Sequence, residues 1–176
     1  MNRFALVSAL AVTAFGLAGT ASAQSSSSAS GQGSITVIRP LTVSKSADMK
    51  FGTVVRPSTG SGSVIISNAG ARTVSGGAVA LNSGDTPQAA QFNIEGEGGQ
   101  SVSVTIPATF SMINGAESLT VTTNNSLGAN ASAQTLSNAL GSAGTLNVRV
   151  GGTVALPSTA ATGVYTGTFT VSAAYN

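Results

Sequence analysis

The chain has 176 residues, of which only 7% are charged, with a formal net charge of +2 and no cysteine, histidine or tryptophan. That composition excludes thiol catalysis, Ser-His-acid triads, disulfide staples and ordinary zinc sites. So few cations cannot neutralise many phosphates, and no nucleic-acid partner is expected.

Residues 1–23 read as a cleavable signal peptide: Arg3 supplies the positive start, an apolar stretch runs from Phe4 to Leu17, and Ala21-Ser22-Ala23 is an A-x-A cleavage site. The apolar stretch is short for a membrane span of about 20 residues. Export follows from this reading, to the cell surface or medium by way of the periplasm. Residues 24–33 (QSSSSASGQG) are polar and read as a linker. Residues 34–176 are expected to form one domain, long enough to bury a core without cross-links.

From Ser34 onward, apolar residues alternate with polar ones at period two, the mark of half-buried antiparallel strands. Val64 and Ile66 alternate, as do Val102, Val104 and Ile106. Leu119 and Val121, and then Leu146, Val148 and Val150, repeat the pattern. The longest run is C-terminal. Tyr165, Gly167, Phe169, Val171, Ala173 and Tyr175 share one face, and Thr166, Thr168, Thr170 and Ser172 the other. Glycine-bearing stretches at Gly60–Gly62, Asn68–Gly70, Gly76-Gly77, Gly96–Gly99, Gly151-Gly152 and Gly163 read as turns between these runs. Ala131–Leu140 fits a turn or two of helix, or a loop. The predicted fold is all-β, an antiparallel immunoglobulin-like sandwich.

Few residues suggest chemistry. Glu95 and Glu97 share a strand face and resemble a glycosidase carboxylate pair. The plainer reading is that they flank the Gly96–Gly99 turn and keep its tip soluble. Ser44 and Lys45 are adjacent, so in a strand they face opposite ways and form no nucleophile–base pair. Asn130-Ala131-Ser132 matches a short glycosylation sequon. No cofactor or metal is expected, and the chain is expected not to be an enzyme.

Two segments carry a family likeness. The first is Ile35–Val55 (ITVIRPLTVSKSADMKFGTVV) and the second is Gly163–Tyr175 (GVYTGTFTVSAAY), with Gly151-Gly152-Thr153 between them. Together they resemble a family of secreted bacterial β-domains known only as a domain of unknown function (the 4402 type). More remotely they are similar to subunits of archaic chaperone–usher pili and to spore coat U proteins. Those have an N-terminal donor segment, an apolar Phe-Gly-Thr strand (here Phe51-Gly52-Thr53), and a final strand with a tyrosine next to last (here Tyr175). The cysteines common in such pilins are absent here.

The likeness implies a pilin-like fimbrial or adhesive subunit, with copies of itself and a periplasmic chaperone as partners. Ile35, Val37, Leu41 and Val43 share parity and suit a donor strand; they suit equally the domain's own first strand. Tyr165, Phe169, Val171 and Tyr175 would form the assembly strand that a chaperone reads. The alternative is a monomeric surface or periplasmic binding module.

Overall fold

The computed structural model describes residues 25–176, so the expected signal peptide lies outside the described residues. Residues 25–40 form no strand or helix and are exposed. The compact unit spans Thr36–Asn176.

Its strands are β1 (Thr42–Ala47), β2 (Val54–Val55), β3 (Ser61–Ile66), β4 (Arg72–Ser75), β5 (Val79–Ala80), β6 (Ala90–Glu97), β7 (Ser101–Thr105), β8 (Thr109–Asn114), β9 (Glu117–Asn125), β10 (Ala131–Thr135), β11 (Ala143–Pro157) and β12 (Ser172–Tyr175). Every named pairing is antiparallel. No helix among the described residues is long and apolar enough to cross a membrane. The all-β antiparallel fold predicted from alternation is the fold that forms.

β11 organises the larger sheet. Its first half, Ala143–Val150, pairs with β6; its second half, Gly152–Pro157, pairs with β3. β9 lies along the opposite side over Val150–Val154, so β6 and β3 sit end to end on one flank of β11. Gly151-Gly152 is therefore not a turn but the middle of the longest strand. A Cβ on Gly151 would strike the Ile66 carbonyl and lie 2.7 Å from Asn124 Oδ1; one on Gly152 would lie 2.6 Å from Val121 Cγ1. The two glycines let three strands converge where the sheet curls.

The smaller sheet has the order β10-β7-β12, and β2 pairs with β5 as a short ribbon. The main core lies between the two larger sheets. Ala90, Phe92, Ile94, Val148 and Val150 face Val102, Val104 and Ile106 across it, with Leu136 and Val171 closing the ends. A second cluster under β3, β9 and β11 gathers Val64, Val121 and Val154 beneath Phe51, Phe110 and Leu156.

Three other expectations change. Ala131–Thr135 is a strand, because Ser101–Thr105 offers it a complete ladder. The C-terminal strand is shorter than its alternation: only Ser172–Tyr175 pairs, with β7. Upstream, the burial alternation persists through Tyr165, Phe169 and Val171, but the one backbone pairing there joins Thr166 to Ile113. Phe51-Gly52-Thr53 is not a strand. Gly52 has φ +71°, and a Cβ there would lie 2.6 Å from Arg72 Nη1. The segment curls around that guanidinium, which donates to the Phe51 and Thr53 carbonyls at 3.2 Å each.

Candidate functional site

The feature that stands apart is the seam where β1 and β12, edge strands of the two facing sheets, approach one another. β1 pairs only with β6, and β12 only with β7, among the described residues. In β1, Val43 lies opposite Ile94 and Lys45 opposite Phe92, so both point to the core side. Ile94 is fully buried, yet Val43 is 38% exposed, and the Lys45 side chain 54%. The core face of β1 is only partly covered.

Lys45, Asp48, Phe92 and Phe169 line a shallow cleft along this seam, of about 90 Å³. At roughly 30 Å³ per water, it holds about three waters, or little more than one aliphatic side chain. Lys45 Nζ donates to Asp48 Oδ1 at 2.5 Å across its mouth. A lysine turned inward on an edge strand, followed by a break in register between Lys45 and Ala47, restricts which strands can pair here, so an added strand must accommodate both. Phe169 stands at the back of the cleft, 5.8 Å from the Phe92 ring and 4.9 Å from Phe110.

The four apolar residues expected to act as one donor strand are divided. Val43 belongs to β1, and Leu41 packs on the main core of its own chain. Ile35 is 87% exposed and Val37 81%, both in the strandless stretch before β1. Pro40, which has no N–H, separates the two pairs. The C-terminal set is divided as well. Val171 is buried, and Phe169 and Tyr175 pack against the main core. Tyr165 instead stays half-buried and donates its hydroxyl to the Ala161 carbonyl at 3.0 Å.

At one end of the seam lies an arrangement that reasoning from sequence missed. Glu95 faces solvent and accepts from Asn93 Nδ2. Glu97, expected at a soluble turn tip, is buried instead, its side chain 4% exposed. The reason is that two other segments close over it. Its Oε1 accepts from the Gly141 N–H, and its Oε2 accepts from the Arg39 N–H at 3.3 Å and lies 3.6 Å from Arg39 Nη1. The Glu97 N–H donates to the Tyr175 hydroxyl at 2.7 Å, and that hydroxyl donates to the Arg39 carbonyl at 3.0 Å. A carboxylate so engaged, with its neighbour Glu95 turned to solvent, is arranged to hold the fold together rather than to work as one of an acid–base pair. The sequon asparagine, Asn130, accepts from Asn125 Nδ2 at 2.8 Å within the chain, and its carbonyl accepts from the Ile106 N–H.

Residues 41–175 match the family described as Domain of unknown function (DUF4402), and the chain belongs to that family. The match begins at Leu41, where the strandless stretch gives way to β1, and takes in all twelve strands. No curated protein and no solved structure matches the chain.

Proposed function

We propose that this protein is a non-catalytic, exported structural or adhesive subunit, pilin-like in that copies join by strand addition. The observation that carries the reading is a pairing of opposites within one chain. Ile35 and Val37 lie exposed in a strandless stretch, while the core face of β1 is left open at the seam. A strand laid along such an edge gains ladder hydrogen bonds, and its alternate side chains gain burial.

The magnitudes set the expected strength. Burying Ile35 and Val37 is worth roughly 3–6 kcal/mol together. Four ladder hydrogen bonds add about 2–6 kcal/mol net. Association itself costs about 4–15 kcal/mol. The balance is near zero, so unaided joining is weak and concentration-dependent, and a periplasmic chaperone that holds the seam open is the expected partner. The working place would be the cell surface or the medium.

The test is the size distribution of the exported chain, followed by light scattering from micromolar to millimolar concentration. The reading expects growing assemblies that Val37→Arg abolishes, because the variant loses the aliphatic burial that drives joining and brings a charge beside Lys45. Val37 lies outside the strands, so that variant should keep the wild-type unfolding midpoint. A wild-type chain that stays monomeric over the whole range, even with a peptide of residues 34–43 added, would favour the monomeric binding module.

A further inference from the structure

Arg39 occupies an unusual place. It lies three residues before β1 and has no strand beside it, yet both its backbone polar groups are satisfied by side chains. Its N–H donates to Glu97 Oε2 at 3.3 Å, and its carbonyl accepts from the Tyr175 hydroxyl at 3.0 Å. Its Nη2 also donates to the Gly141 carbonyl at 3.4 Å. Two side chains, distant in sequence, thus take the place of a ladder neighbour just ahead of β1.

The packing supports a specific fit. A Cβ on Gly96 would collide with the Tyr175 hydroxyl and lie 2.9 Å from Leu41 Cδ1, so the start of β1 and the end of β12 both press on the Gly96 backbone. The carboxylate of Glu97 is nearly dry, a costly placement unless it is fully bonded. Closing the bend between β6 and β7 would not require a charge. Fixing a backbone N–H that has no strand partner does call for a strong acceptor, and charge-assisted bonds are the stronger kind.

We infer that Glu97 and Tyr175 form a clamp on the Arg39 backbone that fixes the root of the N-terminal segment, so that the exposed residues before it depart from one defined point. Both are positioning residues. The inference rests on the strand-addition reading only for its consequence in assembly; the clamp itself rests on the hydrogen bonds around Arg39.

The experiment reads amide exchange, residue by residue, in the full exported chain. Tyr175→Phe removes one hydroxyl and keeps the ring. It is expected to speed exchange at the Glu97 amide by roughly fivefold to tenfold, the equivalent of one hydrogen bond. Glu97→Gln presents an N–H where two donors already point, and is expected to speed exchange at the Arg39 amide by a similar factor. Amides of β3 should keep their wild-type rates in both variants, since β3 pairs with β4 and β11 and holds no residue of the clamp. If Glu97→Gln does not fold, Tyr175→Phe decides alone. An Arg39 amide that exchanges in the wild type as fast as those of residues 25–33, or a Glu97 amide unmoved by Tyr175→Phe, overturns the clamp. Light scattering of the wild type separates the two ideas: a Glu97 amide moved by Tyr175→Phe in a chain whose wild type never assembles leaves the clamp standing and counts against the subunit reading, and wild-type assembly with unmoved amides does the reverse.

Discussion

Two short strands, each with one face turned to the core, meet different fates. In β7, Ser101–Thr105, the apolar positions Val102 and Val104 are completely buried. In β1, Thr42–Ala47, the core-side positions Val43 and Lys45 remain exposed. β7 is the middle strand of its sheet, with β10 and β12 as neighbours and the larger sheet overhead. β1 is an edge strand whose core face is only partly covered, by the segment around Phe169. Period-two alternation reports which residues share a face. Whether that face is covered depends on a second sheet assembled from distant parts of the chain.

The comparison is sharpest across one ladder step, because Val43 and Ile94 are partners on the same face. The largest expected effect is on the buried member. Ile94→Ala should destabilise the domain by about 2–5 kcal/mol, the usual cost of an aliphatic truncation that leaves a cavity. Urea unfolding followed by circular dichroism should show a lowered midpoint with an unchanged slope. A loss under about 1 kcal/mol would mean that the core around Ile94 collapses freely, and the contrast with β1 would vanish.

A second expected effect tests the curl of the large sheet. Gly151→Ala places a Cβ against the Ile66 carbonyl and 2.7 Å from the Ser67 carbonyl carbon, both backbone atoms. Backbone must then move, at an overpacking cost of about 1–3 kcal/mol. Gly115→Ala is a useful control, since a Cβ there meets nothing within 4 Å, although its φ of +61° carries a conformational cost of its own. Thermal unfolding should place Gly151→Ala clearly below Gly115→Ala. The reverse order would mean that the junction of β6, β3 and β9 along β11 is looser than its close approaches imply.

Much of the fold was legible because its cause is local. The alternation at Val102–Ile106 and Leu146–Val150 marks real strands, and the turns at Gly70 and at Gly76-Gly77 carry the positive φ that glycine supplies. β6 was not legible, although it pairs on both sides. Ala90, Phe92 and Ile94 alternate, but Gly96 and Glu97 at its end resemble a turn, and only long-range partners bury them. Glu97 meets Arg39 across 58 residues, Gly141 across 44 and Tyr175 across 78. No window along the chain holds all four. The same reasoning explains Gly151-Gly152: a pair of glycines reads as a bend, and only the meeting of three strands makes it the middle of one. At the seam, both the parity of Ile35, Val37, Leu41 and Val43 and the interruption at Pro40 are legible in the sequence; that the first pair stays exposed while Val43 joins a strand and Leu41 packs on the core is not.

The smallest expected effect falls on the exposed member of the ladder pair. Val43→Ala removes two carbons from a side chain that stands at an open edge. With the transfer term partial and no enclosed cavity left behind, the expected loss is about 1 kcal/mol or less. The value should also depend on protein concentration if copies cover the seam, because anything that binds the folded chain alone adds to its apparent stability. Urea midpoints of wild type and Val43→Ala, measured at low and at high protein concentration, therefore give two numbers. A small difference that widens with concentration places Val43 under a second copy. A difference near 3 kcal/mol at every concentration would mean that Val43 is roofed within its own chain, and would remove the open seam from which the assembly reading begins.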